Sequence, residues 1–191
     1  MIDPNRTFRT TVGHRHGTTS ICLLQFPGED DWLEVYRRAM ITMNKDRELI
    51  PTVEWREKIL RARHSPIRYA LYSYLIEDIP SNTSVHFCRH VHAQPYVSSL
   101  RNDRQKDIDG DAAPRSSPVS MILDVNAEEL MVMANKRLCM QAAPVTRAIM
   151  QGIVDITAKA TPEIAGCLVP ACEHQCGICY EMKPCGRCTA I

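Results

Sequence analysis

Interleaved strand-like and helix-like stretches along one chain of 191 residues predict an α+β fold. Two apolar runs, Ser20–Phe26 and Tyr69–Ile79, have the length and composition of strands. Several longer stretches place apolar residues at helical spacing. The apolar share of 45% is enough for a packed core, which excludes wholesale disorder. The length fits one domain, or one domain with a small appendage.

Residues 1–18 are polar and rich in Arg, Thr and His, and read as a loosely held start. Pro27-Gly28 ends the first strand. Residues 29–44 read as a helix: Trp32, Val35, Tyr36, Ala39, Met40 and Met43 share a face, and Glu29, Asp30 and Asp31 suit its positive end. A second helix spans Pro51 to Arg63, with proline tolerated in its first turn. His64-Ser65-Pro66 breaks it before the strand at 69–79. Pro80 to Asn82 turns the chain, 83–93 forms a short helix, and Tyr96 to Arg101 is extended. The polar stretch 102–118 reads as a loop. Asn126, with Glu129 three residues on, opens a helix in the manner of a capping box. Pro144 restarts or kinks it, and a further helix runs to about Lys159.

Net charge is +1, from 23 basic and 22 acidic side chains. A nucleic-acid-coating protein carries a larger basic excess, so any anion site is a local cluster. The longest apolar runs are far shorter than the roughly 20 residues a bilayer requires. The start MIDPNRTFRTT lacks the apolar centre of a secretory signal. The expectation is a soluble cytoplasmic protein that does not engage membranes.

Six of the nine cysteines fall in the last 25 residues. Cys176-x2-Cys179 and Cys185-x2-Cys188 form two knuckles, and four thiolates suit a closed, structural zinc site. An iron–sulfur cluster is the alternative, since Cys167, Cys172 and His174 offer spare ligands; free thiols or disulfides are the third. Residues 166–191 therefore read as a cysteine-rich metal-binding tail on a domain of residues 1–165.

Two stretches concentrate polar chemistry. Val85 to Arg104 holds Arg89, Arg101, Arg104, three histidines including His86 and His90, and Ser98 and Ser99. Guanidinium groups grip phosphate bidentately, although a solvated basic surface has the same composition. In Asn126 to Arg147, Arg137 and Gln141 are four apart on one helical face, where they could meet a polar ring or form only a surface pair. No hydrolase elbow, P-loop or GxGxxG is present, so a bound dinucleotide would be held some other way.

Arg89-His90-Val91, seven residues, then Ser99 resembles the signature of the flavin-dependent thymidylate synthases, which is Arg-His-Arg, seven residues, Ser. Arg101 fits two beyond the serine. His64-Ser65-Pro66 resembles the family's Thr/Ser-Pro-Phe-Glu-His segment. Asn126-Ala127, Leu130, Asn135 and Arg137 resemble its Asn-Ala…Leu…Arg helix, and Thr42 stands where the family has Ser or Thr. The resemblance spans about residues 20–160 in order. The departures are Val91 for the third signature residue, Val97 for an acidic residue, Arg68-Tyr69 for Glu-His, Gly110 for an arginine, and a shorter middle.

The resemblance implies an α+β domain, a mixed sheet flanked by helices, assembled as a homotetramer with sites built across subunits. It implies FAD as cofactor and reductive methylation of dUMP to dTMP, with methylene-tetrahydrofolate and NADPH as co-substrates. By position, Thr42, Ser65, Arg89, His90, Asn126 and Gln141 would face the flavin. Arg89, Ser99, Arg101, Arg137 and His86 would hold the nucleotide. Arg137 would be the catalytic residue, stabilising the pyrimidine anion. The alternatives are a noncatalytic or altered-substrate relative that binds pyrimidine nucleotides, and an interaction module carried by the zinc tail.

Overall fold

The computed structural model describes residues 8–46, 49–104 and 109–190. The chain opens as a hairpin: β1 (Phe8–His14) runs antiparallel to β2 (Gly17–Gln25). Gly17 closes the turn at φ 130°, where a side chain would be strained. The stretch expected to be loose is thus an edge strand from Phe8 onward. Its alternation of half-buried Phe8, Thr10 and Val12 with exposed Arg9, Thr11 and Gly13 has a period of two. Threonine, β-branched but polar, carries that period without raising hydropathy.

α1 (Glu29–Thr42) and α2 (Val53–Arg61) follow, then a 3-10 turn (Ser65–Tyr69) and β3 (Leu71–Pro80). The buried Arg56 of α2 donates to the Pro51 carbonyl at 3.1 Å and pairs with Glu29, so α2 is tied to the start of α1. α3 (Ser81–Cys88) leads to β4 (Gln94–Val97), and β5 (Pro118–Asn126) runs into α4 (Ala127–Arg137). β5 adds a strand where the sequence reading moves directly from the 102–118 loop to the helix. Val119, Met121, Leu123 and Val125 alternate inward along it.

The sheet order is β1-β2-β3-β5-β4, and every neighbouring pair is antiparallel. The expected mixed sheet is therefore corrected to a purely antiparallel one. β5 enters between β3 and β4 and runs against both. α5 (Pro144–Ala160) lies across β1 and β2. A Cβ on its Gly152 would stand 2.6 Å from Val12 Cγ2 and 2.8 Å from Ile21 Cδ1, so the close approach depends on glycine. On this buried face the Tyr74 hydroxyl meets Thr157 Oγ1 at 2.7 Å, and Tyr72 donates to Thr161 Oγ1 at 3.3 Å. On the other face, the register aligns Cys22, Leu75, Ile122 and Tyr96 in one row across four strands.

The chain ends in short pieces: α6 (Pro162–Ala165), α7 (Ala171–His174), and a small parallel pair, β6 (Ile178–Cys179) with β7 (Thr189–Ala190). Among the described residues no helix is long and apolar enough to cross a membrane.

Candidate functional site

α3 ends at Cys88, and the following turn buries His90 against α4. Asn126 caps α4 by accepting from the Glu129 amide at 2.9 Å. The Glu129 carboxylate turns away from that cap, and its Oε1 lies 2.9 Å from His90 Nδ1. At the other end of the helix, Arg137 Nε donates to His90 Nε2 at 3.0 Å. Arginine can only donate, so Nε2 is the unprotonated nitrogen and the proton sits on Nδ1, facing Glu129. Burial holds the His90 pKa below its ordinary value; the Arg137 cation adds to this and Glu129 opposes it.

Arg89 and Arg137 stand close enough to repel. Burial lowers the Arg137 pKa, and the Arg89 charge lowers it further. His86 is lowered by burial, then by Arg137 and Arg89. Its Nδ1 is anchored 2.6 Å from Thr146 Oγ1 on α5. Among the described residues Arg89 has no hydrogen-bond or ion-pair partner, and Arg137 has only the His90 ring. The exposed Arg89 guanidinium, the half-buried Arg137 guanidinium and the half-buried His86 thus form a positive cluster with no carboxylate in direct contact among the described residues. Such a cluster suits a phosphate or another delocalised anion.

The remaining candidates sit elsewhere in the protomer. Thr42 and Ser65 line a cleft of about 600 Å³ walled by Met40, Trp55, Ile59 and Pro66. The Thr42 hydroxyl donates to the Ala39 carbonyl at 2.7 Å. Asn126 is engaged as the cap of α4. Ser99 accepts from the Arg101 amide at 3.2 Å, and the Arg101 guanidinium grips Asp103 at 2.9 and 2.8 Å on an exposed loop. No hydrogen bond or ion pair within the described residues joins this loop to Arg89 or Arg137. Gln141 donates to the Lys183 carbonyl at 2.6 Å, which ties it to the cysteine-rich segment. So the fold brings Arg89, His90, Arg137 and His86 together, places Thr42 and Ser65 in a separate cleft, and leaves Ser99 and Arg101 outside.

No family model and no curated protein matches the chain. A solved structure does: thymidylate synthase X from Helicobacter pylori, determined with FAD and dUMP. It aligns with a TM-score of 0.58 at 13% identity, covering 76% of this chain and 98% of that one. The fold is thymidylate synthase X-like. At this identity the likeness is one of fold, and chemistry has to be argued from the residues.

Within the thymidylate synthase X-like fold, two further residues belong to the cluster. Glu129 and Thr146 hold its histidines, and neither is singled out by spacing as a ligand. Glu129 shows in the sequence only as the third residue of a capping box; a carboxylate on a mostly apolar helix is the signal available.

The cysteine-rich segment does not assemble the expected four-thiolate site. Among the described residues no three His, Cys, Asp or Glu side chains come together as a metal site. The β6–β7 register sets Cys179 opposite Ala190, and burial, with Cys188 nearby, raises the Cys172 pKa. Cys176 is exposed. Cys179 and Cys185 instead line a small cavity with Cys139, Cys172 and Gln141.

Proposed function

We propose that the chain binds FAD and a pyrimidine nucleotide, and that it reductively methylates dUMP to dTMP with methylene-tetrahydrofolate and NADPH as co-substrates. One observation carries this reading: Arg89 and Arg137 lie near enough to repel, with no carboxylate in contact, on a thymidylate synthase X-like fold, and the fold's solved neighbour was determined with FAD and dUMP. Arg89 grips phosphate. Arg137 keeps its charge at any working pH and stabilises negative charge as it develops on the pyrimidine. His86, held neutral by burial and by the two guanidiniums, keeps the cluster from a third fixed charge. The cleft at Thr42 and Ser65 fits a flat ring system, with apolar walls from Met40, Trp55 and Pro66 and hydroxyls at its edge. Thr42 and Ser65 would hold the edge of a flavin there, which would supply hydride chemistry when bound. Ser99 and Arg101 face outward, so their ligand lies on a neighbouring subunit. At the end of the row, Ile122 and Tyr96, 38% and 61% exposed, offer an apolar patch for such an assembly.

Purified protein titrated with FAD should gain bound-flavin absorbance that bleaches on NADPH addition, and calorimetry should detect dUMP. A protein that takes up neither overturns the proposal. A second reading, nucleotide binding without flavin, is favoured by two observations. Both His90 nitrogens are engaged inside the protomer. Val91, 85% exposed, stands where the signature has its second arginine. That reading gains if dUMP binds and FAD does not.

A further inference from the structure

We propose that Glu129 is a positioning residue: acting through the His90 imidazole, it fixes the Arg137 guanidinium for its anionic ligand. The inference rests on the reading of Arg89 and Arg137 as the nucleotide site. Glu129 is 5% exposed, and among the described residues its carboxylate meets only His90. A buried carboxylate without a cation in contact is costly. Here the compensating cation lies on the far side of the ring, and the imidazole couples the two by donating to one and accepting from the other.

The local structure shows that this arrangement is specific. Glu129 occupies the position from which a capping-box glutamate reaches back to the Asn126 amide. Asn126 does its half of the cap, whereas the Glu129 carboxylate points to His90. Glu129 and Arg137 are eight positions apart on α4, about 12 Å along its axis. Neither side chain makes a direct contact with the other, and His90, delivered by the turn after α3, bridges them. The bond from Arg137 Nε sets the plane of the guanidinium and leaves both terminal nitrogens for a ligand. That bond exists only while His90 Nε2 is an acceptor, and Glu129 is the group that keeps the proton on Nδ1. With the proton on Nε2, two donors would face each other and Arg137 would swing away.

The test combines nitrogen NMR of labelled histidine with dUMP titration on the full chain. Wild type should carry the His90 proton on Nδ1. Glu129→Leu should move that proton toward Nε2 and weaken dUMP about tenfold, the effect of one hydrogen bond to a charged group. Glu129→Gln retains an acceptor oxygen and should restore the tautomer and most of the affinity. His90→Gln should cost about as much as Glu129→Leu, and the double variant no more than either, because both act on one contact. Additive losses, a wild-type proton on Nε2, or an unchanged tautomer and affinity in Glu129→Leu would overturn the proposal. Should the leucine variant not fold, an unchanged dUMP affinity in His90→Gln overturns it equally. If wild type does not bind dUMP but the tautomer moves in Glu129→Leu, the nucleotide reading fails while the hold of Glu129 on Arg137 stands.

Discussion

Replacing Arg137 by alanine should separate binding from folding. On the folding side the variant loses one hydrogen bond to His90, worth about 1 kcal/mol net. It also removes the repulsion between Arg137 and Arg89, which offsets part of that loss. The side chain is half-buried, so water screens the charge terms and they are discounted accordingly. The net cost is within about 1 kcal/mol, or roughly 2–4 °C in Tm for a chain of this size. On the binding side, the ligand loses a charge-assisted hydrogen bond worth about 1.5–3 kcal/mol, which corresponds to roughly 10- to 100-fold in affinity. Calorimetric titration with dUMP and a thermal melt of the same preparation measure both quantities. An unchanged Kd, or a collapse in Tm matching the loss of binding, would refute the assignment of Arg137 as a ligand-facing group.

Gly152→Ala should destabilise the chain. Alanine gains about 1 kcal/mol of helix propensity, but its Cβ meets Val12 and Ile21, and overpacking of this kind costs about 1–3 kcal/mol. A urea midpoint equal to or above wild type would show that the two side chains give way. His90 is held below its ordinary value of 6.5, so the unfolded chain binds its proton first and stability falls as pH drops from about 6.5 toward the depressed folded value. His14, His86 and His174 shift the same way and add to the slope. His90→Asn should therefore flatten the pH dependence of the urea midpoint over that window, and an unaltered slope would count against a buried neutral imidazole. In the proposed assembly, Ile122→Lys, at the exposed end of the row beside Tyr96, should lower the mass measured by light scattering; a wild-type mass of one chain would refute the assembly, and an unchanged larger mass would refute this contact.

The elements that bury a continuous apolar stripe are legible from the sequence. α1, α2, α4 and α5 fall where helical spacing puts them, with ends set by Thr52, Asn126 and Pro144. β1 is hidden because threonine supplies its inward positions. β5 is hidden behind a polar loop, although Val119, Met121, Leu123 and Val125 alternate plainly. At the candidate site, the family resemblance points to Arg89, His90 and Arg137 but not to Glu129, which contacts His90. Glu129 belongs to a local motif and to a long-range contact at once, and only the tertiary approach of α3 to α4 decides which one its carboxylate serves. The cysteine pattern is legible only within each knuckle, for a related reason. Two CxxC pairs fix the distance within each knuckle, whereas convergence of the pairs depends on strand register.

The energetics of the existing partners sort the candidate ligands by availability. Arg101 holds Asp103 on an open loop, with both side chains more than half exposed. Such a pair is weak because water screens it, so a phosphate dianion would displace the carboxylate at little cost. His90 is in the opposite situation. Its neutral imidazole and the Glu129 carboxylate are 7% and 6% exposed, and leaving a buried charged acceptor without its donor costs about 1–3 kcal/mol or more. A flavin contact from His90 would have to repay that sum with a single hydrogen bond worth about 1 kcal/mol net. In the proposed function, His90 therefore serves the site by holding Arg137 rather than by touching a flavin ring. For the proposed flavin, the group that would offer a ring edge a hydroxyl at little cost is Ser65 in the apolar cleft, which lies apart from the arginine pair, so the proposed function requires a ligand that reaches from one to the other.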